Sequence, residues 1–233
     1  MQAVILAAGV GKRLRPLTND LPKAMVKVNG KPILEYTLGI LPKVVDEIIL
    51  VVGYQKEKII KYFGDSFNGI PIKYVVQDAP LGTGHALDIA RSAIKDGDFL
   101  SLYADDLYHQ DDLDALVKLK APVVLAKEVG NPEEFGVCLV DDNGYLTDIL
   151  EKRLDPPSNL VNIGVYLLNQ EIFDIPRVQL PNGEFNLPLQ IGNWALKRKI
   201  KVVRAKFWHP IGYPEDIDVA HSLVNLPEKE KVN

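Results

Sequence analysis

Only one cysteine, Cys138, occurs in 233 residues. An internal disulfide framework is therefore excluded, and the composition fits a reducing compartment. No apolar run approaches the ~20 residues that a membrane-spanning helix needs. The opening Met1–Gly9 is apolar, yet no charged segment precedes it. Lys12, Arg13 and Arg15 follow it instead, the reverse of a signal peptide. These absences point to a soluble, cytoplasmic protein without a membrane partner. Surplus basic charge is missing as well: 27 Lys+Arg face 31 Asp+Glu, a formal net charge of −4. A general nucleic-acid binder, which neutralises phosphates with excess Lys and Arg, is not expected. There is no low-complexity linker and no internal repeat. What remains is an ordinary globular mixture, 47% apolar and 25% charged, at a length that suits one large α/β domain.

The small net charge conceals an asymmetry. Residues 1–31 carry six basic side chains against Asp20 alone, and residues 100–151 carry twelve acids against three lysines. The basic residues lie among glycines and prolines, hence on a loop rather than along a helix face. Two readings follow: a solvated basic loop, or a loop facing a polyphosphate whose accompanying metal ion draws a carboxylate from the acidic stretch.

Gln2–Ala7, Glu47–Val52, Ile70–Gln77 and Phe99–Tyr103 are short apolar runs of the kind buried on both faces of a parallel sheet. Helices are expected at 32–41, where Pro32 occupies the first turn, at 55–63, ended by Gly64, and through Ala86, Ala90, Ala93 and Ile94. This alternation predicts a doubly wound, mostly parallel, Rossmann-like α/β sheet. The second half changes character. Val137–Val140 and Tyr145–Leu150 flank Asn143-Gly144, a two-residue hairpin signal. Strands at 123–126, 161–168 and 201–207 and helices at 187–198 and 214–226 complete the reading. The expectation is one domain over 1–226, an antiparallel insertion near 128–175, and a charged tail at 227–233.

Gly9-Val10-Gly11 follows the first strand, where backbone N–H groups can face phosphate at the carboxyl edge of a sheet. Position 14 is leucine, so the dinucleotide fingerprint fails, and no Gly-Lys-Ser/Thr follows to make a P-loop. The longer stretch Leu6-Ala7-Ala8-Gly9-Val10-Gly11-Lys12-Arg13-Leu14-Arg15-Pro16-Leu17-Thr18, followed by Pro22-Lys23 and Gly30-Lys31-Pro32, resembles the opening signature of the sugar-1-phosphate nucleotidylyltransferases. That family includes glucose-1-phosphate thymidylyl- and uridylyltransferases and mannose-1-phosphate guanylyltransferases. The resemblance continues through Gln77…Pro80-Leu81-Gly82-Thr83-Gly84, Asp105, Glu134-Phe135-Gly136-Val137, Glu151-Lys152 and Asn162-Ile163-Gly164-Val165-Tyr166. It ends at Trp208…Ile211-Gly212-Tyr213-Pro214-Glu215-Asp216 and so covers nearly the whole chain.

The resemblance implies attack by a sugar 1-phosphate on the α-phosphorus of a nucleoside triphosphate, with Mg²⁺ as cofactor and no nucleic-acid partner. It implies that Arg13 stabilises the departing pyrophosphate and Lys23 bridges the reacting phosphates. Ala8, Gly9, Gly11, Gln77 and Gly82 are implied to hold the nucleotide, the last two at the base. Gly136, Glu151, Lys152 and Gly164 are implied to hold the sugar phosphate, and Asp105 the metal. Strand alternation alone would not put Glu151 and Lys152 in one site. Thr83 reads as a helix cap, and Asp106 as solvated or hydrogen-bonded. His85, His109, His209 and His221 show no ligand spacing and read as incidental.

Two departures from the family stand out. Lys12 replaces a small hydroxyl residue, and Pro210 occupies the place of the second metal aspartate in Trp208-His209-Pro210-Ile211-Gly212. Asp105 with phosphate oxygens and water, or Asp106 or Asp216 in addition, would then hold the metal. The alternative is a catalytically weak relative that binds nucleotide or nucleotide-sugar in a regulatory role. A glycosyltransferase would want an Asp-x-Asp motif where the chain has Asp105-Asp106-Leu107. The chain stops soon after the closing helix, so the β-helical acyltransferase extension of some relatives is not expected. A homo-oligomer is left open.

Overall fold

A computed structural model describes residues 1–224. Four strands form its parallel core: Gln2–Ala7 (β1), Glu47–Val52 (β2), Ile70–Val76, and Phe99–Tyr103. Ser66–Phe67 (β3) is a short edge strand, so the latter two are β4 and β5. β1 pairs in parallel with both β2 and β5, and β2 with β4. Alternate residues of β1 enter opposite layers: Ala3, Ile5 and Ala7 join one hydrophobic cluster, Val4 and Leu6 the other. This two-sided burial is why the strand reads as an unbroken apolar run.

The second half adds Val123–Glu128 (β6), Gly136–Val140 (β7), Leu146–Glu151 (β8), Leu160–Leu168 (β9) and Lys201–Arg204 (β10). β9 lies antiparallel to both β5 and β6, and β10 runs parallel along β6. The antiparallel part of this half joins the central sheet. It begins at Val123 and extends the central sheet through β9. Six helices cover the faces: Ile33–Gly39 (α1), Lys56–Phe63 (α2), Gly82–Ala90 (α3), Gln110–Leu116 (α4), Leu187–Ala195 (α5) and Pro214–Leu223 (α6). Side chains of α1, α2 and α4 pack on one face, and those of α3 and α5 on the other. A third cluster, including Leu14, Val28, Ile211 and Ile217, seats α6 against the amino-terminal loops.

Several local expectations are corrected. Pro32 caps α1 from a two-residue ladder with Lys27-Val28 rather than opening its first turn. The β7–β8 turn is not a two-residue type I′ turn, which needs positive φ at both central residues. Only Gly144 is left-handed, with φ 78, and the Asp141 carboxylate accepts N–H bonds from Asn143 and Tyr145. Thr83 does not cap α3; its Oγ1 accepts the Leu187 N–H at 3.2 Å and ties α3 to the start of α5. The strand expected over 201–207 stops at Arg204, and the helix expected over 187–198 stops at Ala195. The end of the helix expected to reach 226 and the tail 227–233 lie outside the described residues.

Ser101 sits in β5, fully buried, and its Oγ has no hydrogen-bond partner among the described residues. A sealed, unpaired hydroxyl costs stability that a methyl group does not. Ser101→Ala should leave the melting temperature unchanged or raise it by the equivalent of up to ~1 kcal/mol. A measured fall would show that the hydroxyl is satisfied in solution.

Candidate active site

The glycine loop turns back on itself immediately beyond β1. A Cβ at Gly11 would lie 2.8 Å from Cβ of Lys23, so the two segments touch with no room for a side chain. Thr18 Oγ1 donates to the Gly11 carbonyl at 2.6 Å, and the Lys23 N–H reaches the Gly9 carbonyl at 3.4 Å. This packing puts Arg13 and Lys23 on one wall of a cleft of about 400 Å³ at the carboxyl edge of the sheet. Arg13 Nη1 donates to Tyr213 Oη at 3.2 Å, and its guanidinium lies 4.9 Å from the centre of that ring.

Lys23 Nζ meets Asp105 Oδ2 at 2.6 Å beyond the end of β5. Burial pulls the ammonium pKa down. The carboxylates of Asp105 and Asp106 more than offset that, so the net shift is upward and Lys23 stays charged. Asp106 is buried, with Oδ2 accepting Trp208 Nε1 at 3.0 Å and Oδ1 the Ile211 N–H at 3.1 Å. Burial first, and the charge of Asp105 second, push its carboxyl up to about 6. Asp106 is therefore hydrogen-bonded rather than solvated, and both its oxygens are spent.

Two more carboxylates pin the same carboxy-terminal strap. Asp112, buried on α4, accepts the N–H groups of Lys206 and Phe207, which bends the chain away after β10. Asp216 Oδ2 accepts those of Gly212 and Tyr213 at 2.8 and 2.7 Å, forming the cap of α6. The strap in turn carries Trp208, whose ring meets Phe135 edge-on at 5.1 Å, and so links the two walls of the cleft.

Elsewhere on the cleft lining, β8 stops at Glu151. Lys152 adopts a left-handed backbone, φ 43, with its N–H on the Phe135 carbonyl. The break in strand geometry cancels the usual alternation, and Glu151 and Lys152 both line the cleft. Glu151 Oε2 accepts Asn186 Nδ2 at 3.3 Å, and it would lie 3.2 Å from a Cβ at Gly136. Gly164 sits at a register break in β9, between Asn162 and Val165. Its φ is 74, and a Cβ there would fall 2.2 Å from the ring of Tyr103. Gly164 therefore supports the Tyr103 wall from behind.

A family model described as nucleotidyl transferase matches residues 2–224. The chain belongs to the nucleotidyl transferase family. A bifunctional protein GlmU from Methanococcus maripaludis is 39% identical over 222 residues, covering 93% of this chain and 53% of that protein. The chain thus spans about half the length of the GlmU relatives it matches. A UTP–glucose-1-phosphate uridylyltransferase, AglF of Haloferax volcanii, is 38% identical, covering 94% of this chain and 95% of its own. Among solved structures, a UDP-glucose pyrophosphorylase in complex with UDP-glucose superposes with a TM-score of 0.84 at 25% identity, covering 96% of this chain and 97% of that one.

In this family member the cleft brings together Arg13, Lys23, Gly82, Asp105, Gly136, Glu151 and Lys152. Ala8, Gly9, Gly11, Gln77 and Gly164 do not line it. Ala8 and Gln77 flank Gly53, where a Cβ would lie 3.0 Å from each, Gly9 and Gly11 lie in the loop beyond β1, and Gly164 packs against Tyr103. Gly82 has a packing role of its own, since a Cβ there would strike the Phe185 carbonyl at 2.5 Å. Reading the sequence missed Tyr103, Asn162, Asn186 and Tyr213, which also line the cleft. Asn162 and Tyr213 fall within the quoted motifs and could have been picked out there; nothing in the sequence marks Asn186. Pro210 is on the wall as well, without a carboxylate, and Asp106 and Asp216 are committed to the strap. Among the described residues no three acidic, histidine or cysteine side chains cluster as a metal site.

Proposed function

We propose that the chain transfers a nucleotidyl group from a nucleoside triphosphate to a sugar 1-phosphate, giving a nucleoside diphosphate sugar and pyrophosphate. The observation that carries this reading is one cleft lined by three cations, Arg13, Lys23 and Lys152, together with the carboxylates Asp105 and Glu151, a set able to hold two anions about a reacting phosphorus. A phosphate monoester, with a second pKa of ~6, is already ionised at neutral pH and needs no protein base. Its oxygen attacks the α-phosphorus, the bond to the β-phosphate oxygen breaks, and pyrophosphate leaves with the electron pair. Arg13 and Lys23 oppose the charge that grows on the leaving group, and Lys152 holds the attacking phosphate while Glu151 accepts from sugar hydroxyls. The same proposal treats residues 1–226 as one catalytic unit.

A hard cation fits at Asp105. One oxygen meets Lys23 and the other accepts nothing from the described residues, which leaves a carboxylate donor open on the cleft. Magnesium takes few protein ligands and keeps several waters, so Asp105 with phosphate oxygens suffices, and when bound it supplies charge neutralisation on the phosphates.

Pyrophosphate release with Mg²⁺ across UTP, dTTP, GTP, CTP and ATP, crossed with several sugar 1-phosphates, tests the reading. Turnover is expected for at least one pair. A second reading, a nucleotide-binding regulatory homologue, draws on Pro210; nucleotide binding without turnover for any pair would favour it. Arg13→Ala should lower kcat by about 10²-fold with much less change in nucleotide affinity. Equal losses in both would remove its role in the transition state.

A further inference from the structure

Asn186 closes a two-residue ladder, where it pairs with Val178, and directly precedes α5. Its Oδ1 accepts the Leu189 N–H at 2.8 Å and so caps that helix. A backbone N–H only donates, so this contact settles which end of the carboxamide is oxygen. The nitrogen then faces the other way, and Nδ2 donates to Glu151 Oε2 at 3.3 Å. Turning the amide over would lose the cap and set an oxygen against a carboxylate. The remaining amides of this first turn make no competing demand: the Leu187 N–H goes to Thr83 Oγ1, and Pro188 has none. The helix itself therefore orients Asn186.

Glu151 is confined by the neighbouring strand as well. Gly136 is its partner across β7 and β8, and a Cβ there would lie 3.2 Å from Oε2, so only glycine leaves the carboxylate this space. Oε2 is thus engaged by Asn186, while Oε1 accepts nothing from the described residues. Both side chains line the cleft. Resting on the reading above that Glu151 accepts from sugar hydroxyls, we propose that Asn186 is a positioning residue that holds Glu151 through Oε2 and leaves Oε1 for the hydroxyl. One carboxamide then serves two ends: its oxygen secures the start of α5, and its nitrogen aims the acceptor that meets the sugar. A serine or an aspartate at this position can do the first and not the second, which separates the two roles.

The test measures KM for glucose 1-phosphate with UTP, Kd for UDP-glucose by calorimetry, and thermal unfolding. Asn186→Ser keeps a capping oxygen but is too short to reach Glu151. Its melting temperature should match wild type, while KM for the sugar phosphate rises roughly 10-fold, the loss of one hydrogen bond to a charged group, and KM for UTP stays unchanged. Asn186→Asp should fold equally well and raise KM further, because a second carboxylate would face the first. Asn186→Ala should lose the cap too and melt about 2–4 °C lower. In a Glu151→Ala background, Asn186→Ser should alter KM by less than about twofold. A KM that tracks melting temperature across the three variants would make Asn186 a helix cap only. An unchanged KM in Asn186→Ser and Asn186→Asp, or a rise that survives removal of Glu151, would likewise overturn the proposal while turnover stands. UDP-glucose binding that responds to Asn186→Ser without any turnover would count against catalysis alone. Failure of wild type to bind UDP-glucose, or the product of any pair in the pyrophosphate assay, would overturn both.

Discussion

Lys23→Ala should lower kcat by about 10³-fold, at the upper end of what loss of one preorganised donor costs. It should also destabilise the fold. Lys23 is the counter-charge to Asp105 at 2.6 Å and acts electrostatically on Asp106 as well. Breaking a buried pair by deleting one partner costs roughly 3–5 kcal/mol. Asp105 is 30% exposed, so water screens part of the loss and about 2–3 kcal/mol is the better figure.

The deficit should depend on pH in a defined sense. The folded pKa of Asp106, about 6, already lies above its ordinary value of 3.8. For such a carboxyl the folded state favours the protonated form, so its contribution is best below about 4 and is lost as pH rises towards 6. Without the Lys23 ammonium the folded value climbs further. The gap between variant and wild type should therefore widen above pH 6. Denaturant unfolding at pH 5 and pH 8 measures it. Lys23→Arg should not rescue kcat, because a planar fork cannot replace a compact ammonium in this space. A stability loss with kcat intact would leave Lys23 a purely structural residue.

Gly164→Ala should be strongly destabilising. The added carbon would lie 2.2 Å from Cδ2 of Tyr103, on a backbone with φ 74. The left-handed backbone costs a non-glycine residue ~1–2 kcal/mol, and overpacking ~1–3 kcal/mol. Their sum, about 3 kcal/mol, corresponds to a fall of roughly 6–12 °C in melting temperature for a chain of this size. Relief by rotation would drive the Tyr103 ring towards the cleft, so KM for the sugar phosphate should rise as well. The same substitution in a Tyr103→Ala background should recover the steric part but not the backbone part, which a double-mutant cycle resolves. A melting temperature within a degree of wild type would mean that β9 accommodates the methyl by shifting its register.

The parallel core was legible because residues buried on two faces leave unbroken apolar runs, as in Gln2–Ala7 and Glu47–Val52. Pairings of two residues were not. The ladder joining Trp208-His209 to Leu107-Tyr108 has no periodicity and depends on a contact across a hundred positions. Asp112 illustrates the same limit: it stands among the acidic neighbours Asp111 and Asp114 on α4 with nothing to mark it in the sequence, yet it is buried beneath the backbone of Lys206 and Phe207. Glu151 and Lys152 expose another limit. Strand alternation sets them apart, and only the left-handed φ at Lys152, a residue type with no local preference for it, brings them together. The charged residues of the cleft were nonetheless picked out, because the family resemblance supplied Arg13, Lys23 and Asp105; of these, Arg13 after Gly11 and Asp105 after β5 also stand where a doubly wound sheet opens its crevice.

The strap from Ala205 to Asp216 has a consequence for the order in which the protein matures. It is fastened by Asp106 and Asp112, which leave the ribosome about a hundred residues earlier. Until it docks, these carboxylates are buried without partners or remain wet, and the Trp208 side of the pocket does not exist. A nascent chain halted before residue 205 would carry the glycine loop and most of the strands, yet lack one wall. The ability to grip a substrate therefore arrives late and at once during synthesis, governed by contacts between distant segments rather than by gradual growth.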